Sequence, residues 1–183
     1  MEIDILKSDQ DIRQMLALQS ANLEASIQPH TALKEGFLTV RHNYDLIAEM
    51  QAKEPQVIIR DQGQIVAYLL AMPKCMRNSI PILVPFFDQL DRMHYNGRSL
   101  KEVNYILNGQ VCVAKSHRGK GTFDLLFKGM KQYLAEKYTY VVTEIAQRNT
   151  RSLKAHQRVG FQVLSNYISP QGEDWAVVLW DWD

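Results

Sequence analysis

The chain has only two cysteines in 183 residues, Cys75 and Cys112, far apart and in no Cys-x-x-Cys pair. Its five histidines add no metal-ligand spacing to them, so neither a zinc site nor a disulfide framework is supported. An excess of charge is missing as well. Lysine and arginine number 21 against 20 aspartates and glutamates, and the resulting +1 supplies no global field to draw in nucleic acid or an anionic membrane. The longest near-apolar run, 80–87, holds two prolines and falls far short of the roughly 20 residues that span a bilayer. The start, Met1-Glu2-Ile3-Asp4, carries acids where a signal peptide carries basic residues, so a cytoplasmic protein is expected. There is no solenoid-length repeat, low-complexity tract or block of like charge.

What is present is an apolar content of 46%, enough to fill one core, and a single domain over 1–183 is expected. Residues 2–6 read as a strand, and Asp9 followed by Ile12, Met15, Leu16 and Leu23 as an acid-started amphipathic helix. A second helical region is expected over 30–50. Val57-Ile58-Ile59-Arg60, the turn at Asp61 to Gln64, and Ile65 to Leu70 form a β-hairpin signal. Residues 81–93 turn helical in spacing. Residues 103–114 return to strand character, with Val103, Tyr105, Leu107, Val111 and Val113 expected on one face. Phe123, Phe127, Met130 and Leu134 then recur at helical spacing, and Tyr140-Val141-Val142 opens another strand. Asn149 can cap a short helix carrying Leu153 and Val159, which Gly160 ends before strands at 161–168 and 175–182. The order implies an α/β (α+β) fold, a mixed sheet with helices on its faces.

Between the strand at 103–114 and the helix carrying Phe127 lies Arg118-Gly119-Lys120-Gly121-Thr122. A pyrophosphate needs several backbone N–H groups converging on one spot, and Gly119 and Gly121 allow both close approach and positive φ. The helix beginning near Thr122 adds its partial positive end, and Arg118 and Lys120 add full charges. An ordinary strand-to-helix turn with solvated basic residues is the competing reading. A Walker loop is excluded because Gly121 follows Lys120, and a dinucleotide fingerprint because Asp124 stands where its third glycine would fall.

Residues 113–121 resemble the coenzyme-A loop of the GNAT superfamily of N-acetyltransferases, whose pattern is Arg or Gln, two residues, Gly, one residue, then Gly or Ala. Arg118 and Gly121 match its first two fixed positions. Downstream, 149–161 is similar to the family's Asn-x-x-Ala/Ser…Tyr-x-x-x-Gly-Phe segment, through Asn149, Ser152, Gly160 and Phe161. Two motifs in the right order and spacing are more specific than either alone. The resemblance implies a mostly antiparallel central sheet of about seven strands with helices on both faces. It also implies direct transfer from acetyl-CoA to a primary amine, on a small molecule or peptide, without a covalent acyl-enzyme and without a metal. A homodimer is an assembly it allows.

The same resemblance places Cys112, Val113, Arg118, Gly119, Lys120, Gly121, Thr122, Asn149 and Ser152 against the cofactor, with the Val113 N–H as oxyanion donor. Cys112, alternating with valines, reads as a small core thiol. Two positions depart from the pattern. Phe123 stands where the loop usually has Gly or Ala, as the start of the core stripe or as a change in the pyrophosphate pocket. His156 stands where many members carry the tyrosine that protonates the thiolate, as general acid or as a hydrogen-bonded core residue. The strand 103–114 has no carboxylate, offering Asn104, Asn108 and Gln110 where some relatives place glutamate. Glu144 is the nearest alternative base, against a plain ion-paired acid or deprotonation through water. The acceptor pocket would come from 26–44 and 72–98, where Phe86, Phe87, Met93 and Tyr95 are pocket lining or core, and Asp88 and Asp91 attract an amine or are merely solvated. A non-catalytic acyl-CoA-binding or sensing domain is the reading from another class.

Overall fold

A computed structural model describes residues 1–23 and 37–183. Strand β1 (Glu2–Ile5) leads to helix α1 (Asp9–Ser20), which starts where the Ser8 and Asp11 side chains reciprocally cap each other's backbone N–H. Asn43 caps α2 (Tyr44–Lys53) by accepting from the Leu46 N–H. The hairpin β2 (Val57–Asp61) and β3 (Gln64–Pro73) follows, then α3 (Val84–Leu90) and the two-residue strands β4 (His94–Tyr95) and β5 (Arg98–Ser99). The second half alternates β6 (Tyr105–Val113), α4 (Thr122–Leu134), β7 (Tyr140–Ala146) and α5 (Thr150–Val159), and closes with the hairpin β8 (Gln162–Ile168) and β9 (Asp174–Asp181).

Seven of these strands make one sheet in the order β1-β2-β3-β6-β7-β9-β8. Every neighbouring pair is antiparallel except β6 and β7, which α4 connects as a parallel crossover. One face is covered by α1, α2 and α3 through Ile12, Met15, Ile47, Met50, Phe86, Phe87 and Leu90. The other is covered by α4 and α5 through Leu126, Phe127, Met130, Leu134, Leu153 and Val159. This is the mostly antiparallel seven-stranded sheet with helices on both faces that the motifs imply.

Two expectations change, and one pair of alternatives is decided. Of the helix expected over 30–50, residues 30–36 lie outside the described residues, and 37–43 are not helical, the helix beginning only after the Asn43 cap. The strand expected over 103–114 does not keep its odd-numbered residues on one face. Tyr105 and Leu107 face α1 to α3, whereas Val111 and Val113 face α4 and α5. The cause is a bulge: Ala71 pairs with Asn108 and Leu70 with Gln110, so Gly109 is an extra residue and the alternation slips by one. Lastly, Phe86 and Phe87 are buried in the core with Met93 and Tyr95 packed against it, and Asp88 and Asp91 pair with Arg77.

Helix α4 approaches the sheet closely at Gly129, where an added Cβ would stand 2.7 Å from Ile3 Cγ2 and 2.8 Å from Val57 Cγ1. Gly129→Ala therefore destabilises the protein by about 1–3 kcal/mol despite alanine's better helix propensity, a loss read as a lowered Tm or urea midpoint.

Candidate active site

Strands β6 and β7 pair over only three positions, Tyr105 with Tyr140, Ile106 with Val141 and Leu107 with Val142. Beyond them β6 stays paired to β3 and β7 to β9, while the two strands no longer pair with each other. The Gly109 bulge falls at this parting. The last tie is a side chain: Thr143 Oγ1 donates to the Asn108 carbonyl at 2.8 Å. The Ala114 N–H donates to Val66 O on the β3 side, and successive amides of a strand alternate edges, so the Val113 and Val111 N–H groups point into the parting.

A cleft of about 760 Å³ opens there, lined by Val111, Cys112 and Val113 on the strand, by the turn before α4, and by the start of α5. Gly119 and Gly121 adopt φ of +73° and +78°, left-handed values that favour glycine, and no atom lies within 4 Å of where a Cβ would be on either. Gly121 caps α4 without a side-chain hydrogen bond, which leaves the helix's first amides facing the cleft mouth. Thr122 Oγ1 donates to the His117 carbonyl at 2.8 Å and closes the turn from within. The Arg118 guanidinium folds back, its Nε donating to Val113 O at 3.0 Å and its Nη2 to Asn22 Oδ1 at the end of α1. It thus ties the turn to the strand it follows. Of the residues expected to hold the cofactor, Cys112, Val113, Arg118, Gly119, Gly121, Thr122, Asn149 and Ser152 all line this cleft; Lys120 is exposed and does not. Phe123 belongs to the α4 core stripe and to the cleft wall at once, its ring centroid 4.9 Å from Phe127 and 5.1 Å from His156. Burial pushes the Cys112 thiol up to about 12.

A smaller cavity of about 90 Å³ continues between the parted strands and shares Phe37, Leu38, Val111, Asn149 and Ser152 with the cleft. Glu144 and His156 line this inner cavity, as does Asn108. Burial pushes the Glu144 carboxyl up to about 7, partly offset by a hydrogen bond from the Tyr167 hydroxyl on β8. Tyr167 drew no notice in the sequence, because a tyrosine in an edge strand reads as ordinary β-propensity. His156 is buried among the rings of Phe123, Phe127 and Phe161, and burial lowers its pKa to about 4. Its Nδ1 lies 2.8 Å from the Ser152 carbonyl and its Nε2 3.1 Å from Asn108 Nδ2.

The segment entering α2 is fastened over the cavity by a buried polar network. Gln19 Nε2 lies 2.7 Å from Gln110 Oε1 and 2.8 Å from His42 Nδ1, the Tyr68 hydroxyl donates to Gln110 Oε1 at 2.6 Å, and Gln110 Nε2 donates to Val40 O at 2.7 Å. Burial lowers the His42 pKa to about 4. Among the described residues no cluster of His, Cys, Asp and Glu could hold a metal ion, and no helix is long and apolar enough to cross a membrane.

No protein-family model and no curated protein sequence matches the chain. Its fold, by contrast, has many solved counterparts. A Streptococcus mutans protein aligns over 100% of both chains with a TM-score of 0.68 at 15% identity. The ribosomal-protein-alanine N-acetyltransferase of Brucella melitensis aligns over 99% of each chain with a TM-score of 0.62 at 16% identity. The NatB acetyltransferase complex, solved with CoA and MES, contains a chain that aligns over 99% of both with a TM-score of 0.65 at 12% identity. The chain shares its fold with these structures, two of which are acetyltransferases; it is the GNAT fold.

Both buried histidines have folded pKa values near 4 against 6.5 for the free side chain, so the unfolded chain takes up more protons between those values. The histidines' contribution to stability is complete above pH 6.5 and falls as the pH drops toward 4, outweighing the single raised Glu144 carboxyl, which acts in the opposite sense between about 4.5 and 7. Thermal melts across that window show a falling Tm, and the slope is shallower in His156→Phe, which removes one of the two groups.

Proposed function

We propose that this protein is an acyl-CoA-dependent N-acetyltransferase that moves the acetyl group of acetyl-CoA directly onto a primary amine. The observation that carries this reading is the continuity of cleft and inner cavity: an anion-binding turn at one end, strand amides without a ladder partner in the middle, and a carboxyl with a pKa near 7 at the other. The fit to coenzyme A rests on the open space beside Gly119 and Gly121 and on the uncapped start of α4.

In this reading the amides of Gly119 to Thr122 hold the pyrophosphate, with Lys120 adding charge from outside and Arg118 keeping the turn seated on Val113. Asn149, which caps α5 by accepting from the Ser152 N–H at 3.3 Å, and Ser152 border the pantetheine. The Val113 N–H donates to the thioester oxygen; losing such a donor costs about 100- to 1,000-fold in rate. The neutral amine forms the new N–C bond, Glu144 takes one amine proton, and the C–S bond breaks to release the thiolate of CoA, which is protonated from solvent. His156 has no proton for that thiolate: its Nδ1–H is committed to Ser152 O, and its Nε2 accepts from Asn108. Cys112, with its thiol pushed up to about 12, supplies no thiolate near neutral pH, in keeping with direct transfer. The acceptor is a small molecule or a peptide that presents a primary amine, and the site of action is the cytoplasm.

Thiol release from acetyl-CoA over a panel of amines tests the activity; binding of acetyl-CoA without release for any amine favours a sensing domain instead. Arg118→Ala weakens acetyl-CoA binding by about tenfold or more in calorimetry, because the turn loses its charge-assisted tie to the strand. Because Glu144 accepts a proton only when ionised, kcat/KM rises with pH through a step near 7, distinct from the rise that deprotonation of the free amine adds at higher pH. Tyr167→Phe removes a hydrogen bond that favours the carboxylate and moves this step upward. Glu144→Gln abolishes it, with a loss of about 100- to 10,000-fold.

A further inference from the structure

The chain's net charge of +1 is not spread evenly. Arg118, Arg151, Lys154 and Arg158 line the cleft, against a single carboxylate, Asp124. Arg118 belongs to the glycine turn, where it donates to Val113 O and Asn22 Oδ1. The other three come from α5, and their spacing of three and four residues sets them in one stripe along that helix. None of the ten residues of α5 is acidic. Like charges at this spacing repel one another, and Arg151 stands in the first turn, where the helix dipole disfavours a cation. Arg158 is already paired: it donates to Asp124 Oδ1 at 2.6 Å, neutralising the one acid on the first turn of α4, and its guanidinium lies 6.0 Å from the Phe123 ring centroid. Arg151 and Lys154 are exposed, and their side chains make no ion pair or hydrogen bond among the described residues.

Helix α5 thus offers two faces to a ligand. Asn149, Ser152 and His156 line the inner cavity, while Arg151, Lys154 and Arg158 line the cleft alone. Coenzyme A carries phosphate in two places: the pyrophosphate, which suits the converging amides of the glycine turn, and a monoester on the 3′ carbon of its ribose, close to a dianion at neutral pH. With the pantetheine against the inner face and the pyrophosphate at the turn, the cationic stripe is the surface left for the nucleoside end. We propose that Arg151 and Lys154 bind this 3′-phosphate and make the protein select coenzyme A over its 3′-dephospho form, with Arg158 as the positioning residue that keeps Asp124 from repelling the pyrophosphate. This rests on reading the cleft as a coenzyme A site. A guanidinium fork and a mobile ammonium hold a phosphate without a preformed pocket. Solvent screens both contacts, so the discrimination is moderate and depends on salt.

Calorimetry on the whole protein compares CoA with 3′-dephospho-CoA at low salt. Wild type binds CoA about fivefold or more tightly, the effect of two charge-assisted contacts reduced by their exposure. The preference shrinks as salt is raised. Arg151→Gln combined with Lys154→Gln loses it by weakening CoA alone; binding of 3′-dephospho-CoA stays at the wild-type level, which shows that the variant is folded. Lys128→Gln, on α4 at an exposed position outside the cleft lining, keeps the preference. Arg158→Gln weakens both forms by the same factor, and adding Asp124→Asn restores both. Equal binding of the two forms by wild type, binding of neither, a preference that survives in the double variant, or an equal loss of both forms in it would each overturn the proposal. A loss in Arg158→Gln that Asp124→Asn does not recover overturns the positioning role. Thiol release from acetyl-CoA over an amine panel, measured on the same samples, keeps the two readings apart. A CoA preference without release for any amine sinks the transferase and leaves the phosphate subsite standing; release by a protein that binds both forms equally does the reverse.

Discussion

The site depends on a ladder that stops. Among the described residues β6 and β7 are the only parallel neighbours in the sheet, and they pair for three residues before Gly109 inserts an unpaired position and the strands part. Each strand keeps its outer partner, so the parting leaves the ladders on either side of it intact. It leaves a gap with backbone donors on one wall. The turn before α4 and the cap of α5 lie at the cleft that this gap creates, because both helices follow directly from the strands that diverge.

The two faces of the sheet do different work around this gap. On the α4 and α5 side the bulge turns Val111 and Val113 outward from the first core layer, which puts the smooth wall of the cleft beside the glycine turn. On the α1 and α2 side, Gln110 is drawn into the network with Gln19, His42 and Tyr68, and Val40 is held by the Gln110 amide. One slipped residue therefore decides which side chains meet a ligand and which hold the covering segment. Had β6 kept strict alternation, Gln110 would face α4 and α5 and that segment would lack its anchor.

Much of the architecture was legible in the chain because it rests on local chemistry. The hairpin at Val57 to Leu70, the stripe from Phe123 to Leu134, the Asn149 cap and the Gly160 stop are written in neighbouring residues, and the glycine turn is legible for the same reason. The parity slip at Gly109 was not, since a bulge is defined by the register of a partner strand roughly forty residues away in sequence. Nor was the helix start at Tyr44, where tertiary bonds from Gln19 and Gln110 hold 37–43 out of the helix. At the inner cavity, Glu144 was readable as an acid on a strand, but its high pKa comes from packing and its Tyr167 partner from a different strand. Asn108 could be noticed only as a polar residue in an apolar run; the direction of its amide is set by a histidine on another element.

The amides of Val111 and Val113, which have no ladder partner among the described residues, also bear on the energetics of the whole fold. In the unfolded chain water satisfies them; in the folded chain they wait at an internal edge between the block β1-β2-β3-β6 and the block β7-β9-β8, which are joined at one end only. A molecule lying in the gap and accepting from them binds the folded chain alone, so its concentration enters the folding equilibrium directly. The sheet is in this sense a structure one strand short, whose resistance to unfolding is a property of the protein together with whatever completes it.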